Sequence, residues 1–351
     1  MQSSERAKPP VGIIFDSDLG NSIDDVLALA MLYGLDGKGE ARVVSISLTT
    51  SSLKTAAFCD AVANFYAGGP ALRRGLPIGL AADGRISGES PMVTVPLAKT
   101  DANGKPVYAH SIHKLTDTAE VAPLIRNAFT AQHDQNAIVI LAGPATNLAK
   151  VLDLPGAKEI IARKVRFLCM MGGAFPDGAP EFNVKSDITA ARKVLAEWPT
   201  PIVASGYEVG EALLYPGASI EKDFNWTPNH PIADAYRAYK KMPYDAPTWD
   251  ATAVLYAVRP DAGYFKLSEP GTITVLDDGR TRFTPSREGR HRYLILDPAQ
   301  KERILSDYVA LASAKPVPRV PRFLQQQQQQ QQQRQADPPK PPASQPPGTT
   351  K

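Results

Sequence analysis

The sequence predicts an α/β fold: a mainly parallel, open sheet with helices on both faces, followed by a disordered C-terminal tail. Three observations predict it. Strand-length apolar runs alternate with helical patterns, the order that builds parallel βαβ units. Runs such as Ile138-Val139-Ile140-Leu141 are apolar at every position, which suits strands covered on both sides. The composition is that of a globular chain, with 43% hydrophobic and 21% charged residues over 351, enough to bury a large core.

In chain order, residues 11–15 read as a strand and 23–35 as a helix carrying apolar residues at helical spacing. A strand at 43–48 and a helix at 53–66 follow. Residues 68–118 are rich in Gly, Pro and polar side chains and read as surface chain with one short strand at 78–80. A helix at 119–132, a strand at 137–142, a helical segment at 147–152 and a strand at 165–171 continue the alternation. A helix at 187–198 and a short strand at 202–204 come next. Beyond residue 260 the pattern turns to a hairpin, 272–276 and 281–283 around Asp277-Asp278-Gly279-Arg280, and a final helix at 298–313. No linker-like gap interrupts this stretch, so one large domain is expected over 1–314.

Residues 315–351 differ abruptly. They hold nine prolines, nine consecutive glutamines from Gln325 to Gln333 and few large apolar side chains. Such a segment cannot offset its ordering entropy and reads as disordered. Six basic residues against one acid give it a charge of +5; subtracted from the chain's +3, this leaves −2 for the body. The mild basic excess therefore belongs to the tail, and a nucleic-acid partner is not expected. No apolar run is long enough to span a bilayer, and the polar segment 1–10 shows no signal-peptide core. Cys59 and Cys169 fall in an expected helix and a buried strand, so reduced thiols and a cytoplasmic location are the expectation.

The most informative segment is Asp16-Ser17-Asp18-Leu19-Gly20-Asn21-Ser22-Ile23-Asp24-Asp25, at the end of a buried strand and the start of a helix. Four carboxylates so close repel one another, and a hard divalent cation with oxygen ligands, Ca²⁺ or Mg²⁺, would relieve that repulsion. Open α/β sheets bind ligands at this edge. Helix capping accounts for Asp24 and Asp25 but not for Asp16 and Asp18. An EF-hand loop is excluded, because its closing acid would fall at Leu27. A phosphatase of the haloacid dehalogenase type also opens on Asp-x-Asp, with Asp16 as nucleophile, and remains a competing expectation.

Further segments recur in a telling order: Ala142-Gly143-Pro144-Ala145-Thr146-Asn147-Leu148, then Met170-Met171-Gly172-Gly173-Ala174-Phe175, then Glu181-Phe182-Asn183 and Asp187, then Trp249-Asp250 before Ala251-Thr252-Ala253-Val254. Together with the acidic segment they resemble the inosine–uridine preferring nucleoside hydrolase family over most of 11–314. The resemblance implies calcium-dependent hydrolysis of the N-glycosidic bond of ribonucleosides to base and ribose. It implies a Ca²⁺ held by Asp18, Asp25, Asp250 and the backbone carbonyl of Ala142, with Asp24 as general base toward the attacking water. Asp16 would support the metal ligands from behind, and Glu181 and Asn183 would bind ribose hydroxyls. A small nucleoside partner and a homo-oligomer, dimer or tetramer, follow from the same resemblance.

The chain departs from that family in several places. The spacing between Asp18 and Asp24 is two residues longer than the common form, as in some bacterial members. Ser51 or Ser52 stands where an early ribose-binding Asn is frequent, so Ser51 is the candidate there. Asp177-Gly178-Ala179 replaces a loop that often carries a further Asn. Trp249 occupies a position often held by an acid-acting His; an aromatic residue there stacks on the base in purine-preferring members. These departures motivate an alternative, a non-catalytic metal-dependent sugar or nucleoside binder.

Overall fold

Residues 9–68, 75–81, 83–84 and 86–317 are described by the computed structural model of the chain. The expected tail lies outside the described residues from Pro318 onward.

The strands are β1 (Val11–Ser17), β2 (Ala41–Leu48), β3 (Ile78–Leu80), β4 (Ala137–Ala142), β5 (Val165–Met171), β6 (Ile202–Ser205), β7 (Leu214–Tyr215), β8 (Ala246–Pro247), β9 (Phe265–Leu267), β10 (Gly271–Val275), β11 (Thr281–Pro285) and β12 (His291–Leu296). The helices are α1 (Ile23–Gly37), α2 (Leu53–Tyr66), α3 (Pro91–Ala98), α4 (Val121–Thr130), α5 (Thr146–Leu152), α6 (Ala157–Lys164), α7 (Phe182–Ser186), α8 (Ile188–Glu197), α9 (Tyr207–Ala212), α10 (Ala218–Lys222), α11 (Pro231–Tyr239), α12 (Trp249–Val258) and α13 (Lys301–Ala312).

The main sheet runs β11-β10-β12-β6-β5-β4-β1-β2-β3, with β9 on the flank of β12. Pairs from β3 across to β6 and on to β12 are parallel, and β9, β10 and β11 pair antiparallel. The mainly parallel sheet expected from the sequence is therefore present, with an antiparallel edge. The chain winds outward from β1 through β2 to β3, returns to β4 on the other side of β1, and winds outward again. This reversal opens a crevice at the carboxyl ends of β1 and β4, the place where such sheets bind ligands.

Alternation along the central strands divides the apolar side chains between two cores. Ile13, Phe15, Ile138 and Ile140 pack on one face with α1, α2, α11, α12 and α13. Ile14, Val139 and Leu141 pack on the other with α4, α5, α6 and α8. Both sets are fully buried, so every position of these strands is apolar until the chain reaches the crevice.

The structure corrects the sequence reading in the connections. The stretch 68–118 contains α3 and a short 3-10 turn, Leu115–Asp117, with Met92, Val93, Tyr108 and Ile112 buried. Pro91 suits a helix start, but Pro96 inside the helix made the pattern read as broken. The expected helix at 187–198 is present as α8, capped by the Asp187 carboxylate, which accepts from Ala190 N–H; a further short helix, α7, precedes it without having been expected. No helix among the described residues is long and apolar enough to cross a membrane.

Candidate active site

Strand register sets the floor of the site. Asp16 lies opposite Ser47 on β2 and Leu141 on β4, and Ser17 lies opposite Ala142. Asp16 is fully buried. Its Oδ2 accepts from the Ser47 hydroxyl and from Asn147 Nδ2 at 3.0 Å, while Oδ1 has no hydrogen-bond partner. Asn147, in the first turn of α5, is thus a direct partner of the site acids in addition to a helix-start residue.

The chain leaves β1 with Asp18, whose backbone N–H donates to the carbonyl of Ala142 at 3.2 Å. The two loops can close this tightly because residue 143 is glycine: a Cβ there would stand 2.8 Å from Asp18 N. Asp18 Oδ2 is buried and unpartnered. The Ala142 carbonyl keeps a second lone pair beyond the bond it accepts.

Helix α1 then brings Asp24 and Asp25 in its first turn, and α12 brings Asp250 in its own first turn; each helix N-terminus favours an acid. Ser17 Oγ donates to Asp25 Oδ1 at 2.6 Å, and Ser22 N–H reaches Asp25 Oδ2 at 3.4 Å. Asp24 is held between the Ser22 hydroxyl on Oδ1 and Asp250 N–H on Oδ2 at 3.0 Å. Oxygens of Asp24, Asp25 and Asp250 all lie within 4.8 Å of one another. The trio that comes together includes Asp24; Asp18 lines the same cavity beside it.

All five carboxyls are buried, and none takes part in an ion pair among the described residues. Burial raises Asp16 to a pKa of about 7, against the Ser47 and Asn147 bonds that lower it. Burial and the charge of Asp24 raise Asp25 to about 7, against the Ser17 bond. Asp18 and Asp250 rise well above the usual carboxylate range, through burial first and then through the neighbouring acids. Asp24 also rises by burial, opposed by its hydrogen bonds from Ser22 and the α12 backbone. A set of buried acids with unpartnered oxygens and no basic residue fits a hard divalent cation, which would restore their charged forms.

Glu181 and Asn183 lie across the cavity, behind the turn after β5. Glu181 caps α7: its oxygens accept from Asn183 N–H at 2.8 Å, Val184 N–H at 3.1 Å and Gly173 N–H at 3.0 Å. These bonds oppose the upward push of burial on its pKa. Asn183 Nδ2 donates to the Met171 carbonyl at 3.3 Å, at the end of β5. Trp249 is half-buried, stacked on Tyr207 with ring centroids 5.5 Å apart, and its indole Nε1 has no partner.

Asp18, Asp24, Asp250, Glu181, Asn183 and Trp249 line one cavity of about 110 Å³. Asp25 and Asp16 stand behind it. Ser51 is not among its lining residues and is exposed; its neighbour Ser52 is buried and reaches Glu89 Oε1 at 3.5 Å. Asn21, Ser22, Met171, Phe182 and Tyr207 complete the lining. Sequence reasoning gave none of these a role, although Asn21 and Ser22 sit within the acidic segment. A larger depression of about 380 Å³ lies against Asn147 and Lys150, but its carboxylates, Asp83 and Glu120, are exposed. The phosphatase expectation fails on this geometry: Asp16 is enclosed behind the cavity, and no Lys lines the cavity.

The family model described as inosine-uridine preferring nucleoside hydrolase matches residues 13–306. Among solved structures, a plant nucleoside hydrolase is 18% identical, covering 87% of this chain and 100% of its own, with a TM-score of 0.64. An inosine-guanosine nucleoside hydrolase is 17% identical over 86% of this chain and 98% of its own, at 0.63. An inosine-uridine preferring nucleoside hydrolase from Bacillus anthracis is 15% identical over 86% of this chain and 99% of its own, at 0.61. At these identities the structures speak for a shared fold. No curated protein sequence matches the chain.

Proposed function

The chain belongs to the inosine-uridine preferring nucleoside hydrolase family, an enzyme acting on the N-glycosidic bond of nucleosides, and from that premise we propose that it is a calcium-dependent hydrolase of ribonucleosides. The observation that carries the proposal is the group of five buried aspartates at the sheet reversal, none in an ion pair among the described residues, with Asp24, Asp25 and Asp250 converging on one point.

Asp18, Asp25, Asp250 and the Ala142 carbonyl would hold the cation, with Asp16 supporting them from the floor. When bound, the cation supplies Lewis-acid polarisation of water and of ribose hydroxyls. Asp24 takes the proton of the attacking water. Its two oxygens are fixed by Ser22 and the Asp250 N–H, and each retains a lone pair for that proton. The attack meets a sugar whose N-glycosidic bond is breaking through an oxocarbenium-like state, so hydroxyl contacts that tighten as the ring flattens speed the step. Asn183, tethered to Met171, and Glu181, locked by three backbone N–H groups, supply such contacts without reorganising. Trp249 offers an aromatic face to the leaving base, and one water is consumed as base and free ribose are released.

Residues 1–314 form the catalytic unit in this proposal, and 315–351 an appended Gln/Pro-rich segment. A homo-oligomer, read by light scattering, and a cytoplasmic location are part of it; Cys59 and Cys169 are buried free thiols, compatible with that location. The proposal is tested by product analysis on a nucleoside panel. Free base and ribose are expected from wild type and a rate loss from Asp24→Asn; equal product from both proteins contradicts it.

A further inference from the structure

Two histidines outside the acidic cavity meet on the long connection between α3 and α4. The rings of His110 and His113 have centroids 4.8 Å apart at an interplanar angle of 42°. His110 is half-buried and His113 is exposed. His110 Nδ1 lies 2.9 Å from the Ile112 carbonyl. A carbonyl only accepts, so Nδ1 carries the proton, and Nε2 of the neutral ring presents a bare lone pair. One ring nitrogen tied to a backbone carbonyl, with the other open, is the arrangement that orients metal-ligating imidazoles.

The ring separation fits a shared cation. An imidazole nitrogen binds a zinc-like ion at about 2 Å, and the ring centre lies roughly 1.2 Å beyond it. Two such rings on one ion have centres about 4.5 Å apart at a right angle and about 5.2 Å apart at the tetrahedral angle. The observed separation falls between these limits. Rotation of the exposed His113 ring toward the point that His110 Nε2 faces breaks no buried contact.

The chain holds the pair on a fixed frame. Tyr108 is buried, and its hydroxyl donates to Asp234 Oδ2 on α11. Asn64 Nδ2 on α2 donates to the Ala109 carbonyl at 2.8 Å. Asp60, one turn earlier on α2, accepts from Ser111 N–H at 2.6 Å and from the Ser111 hydroxyl at 3.0 Å. Ile112 is buried, and His113 N–H donates to Asp117 Oδ2 at 2.9 Å. Every residue from 108 to 113 is thus anchored by its backbone or side chain, which lowers the ordering cost of binding. By contrast, His230 and His291 are buried and accept backbone N–H groups through Nδ1.

We propose that His110 and His113 form a second metal site, separate from the aspartates, for a transition cation of the Zn²⁺, Ni²⁺ and Cu²⁺ class, with water completing its coordination. Imidazole nitrogen suits these ions, whereas Ca²⁺ takes oxygen ligands, so the two sites divide the metals by ligand chemistry. The bound cation ties residue 110 to residue 113 and stiffens the connection that α2 and α11 support. The site stands on its own geometry and holds whether or not the protein cleaves nucleosides.

The test titrates Ni²⁺ by calorimetry into the full chain, free of any affinity tag and kept in excess Ca²⁺. Wild type, His110→Ala, His113→Ala and the double variant are compared. One saturable Ni²⁺ per chain is expected at this site, weakened at least about 10-fold by either single change and abolished by both. Electron paramagnetic resonance with one Cu²⁺ per chain should show coupling to two imidazole nitrogens in wild type and to one in each single variant. The wild-type spectrum decides the matter even where a variant fails to fold. No saturable Ni²⁺ binding, binding unchanged in the double variant, or a wild-type copper spectrum without coupling to two imidazoles overturns the proposal.

Discussion

Asp16→Asn should make the metal-free protein more stable. Both hydrogen bonds that Asp16 accepts fall on Oδ2, from Ser47 and Asn147, and Oδ1 has no partner. An asparagine with its carbonyl in the Oδ2 position keeps both bonds and removes the charge. The carboxyl rises from 3.8 to about 7, mainly by burial. A rise of roughly three on the pKa scale, at ~1.4 kcal/mol each, corresponds to about 4 kcal/mol. The sign follows from proton linkage. The folded state binds this proton more tightly than the unfolded chain, so its contribution is full below about pH 4 and is lost as pH rises to about 7. Asparagine has no such loss. The variant should therefore match wild type near pH 4 and exceed it by about 4 kcal/mol at pH 8, a gain of roughly 8 °C at about 2 °C per kcal/mol. Thermal melts in chelator across this range read the difference. A variant no more stable than wild type at pH 8, or a gain that does not grow with pH, refutes the reasoning.

Other outcomes follow from the same geometry. Asp24→Asn keeps the acceptor for Asp250 N–H but cannot take a proton, so steady-state rates on a cleaved nucleoside should fall roughly 10²- to 10⁴-fold. Glu181→Ala removes the cap of α7 from Asn183 and Val184 N–H and the acceptor of Gly173 N–H; denaturant melts should show a loss of about 1–2 kcal/mol, and KM should rise. Gly143→Ala pushes a methyl against Asp18 N, and calcium titration calorimetry should report weaker binding than wild type.

The parts of this molecule that were legible in its sequence are those set by continuous burial. Strands β1, β4 and β5 carry apolar residues at nearly every position because two cores clamp them, and their order alone implies the crevice at β1 and β4. The acids stood out because nothing structural needs four of them at a strand end. What stayed hidden depends on long-range juxtaposition. Ser47 gives no signal until the β1–β2 register sets it beside Asp16. Tyr207 reads as one ring in a short polar helix until α12 brings Trp249 against it. Ser51 stands where the resemblance expects an asparagine, but the chain turns it outward and buries Ser52. Helix α3 was masked by Pro96, whose cost is met by burial of Met92 and Val93.

The central claim is that the buried aspartates serve nucleoside hydrolysis by holding a divalent cation. It is tested most directly by ribose release from inosine with chelator-stripped enzyme, measured as calcium is added back. Turnover should be absent without metal and recover fully at one calcium per chain. Undiminished turnover by protein shown by elemental analysis to contain no metal would contradict it.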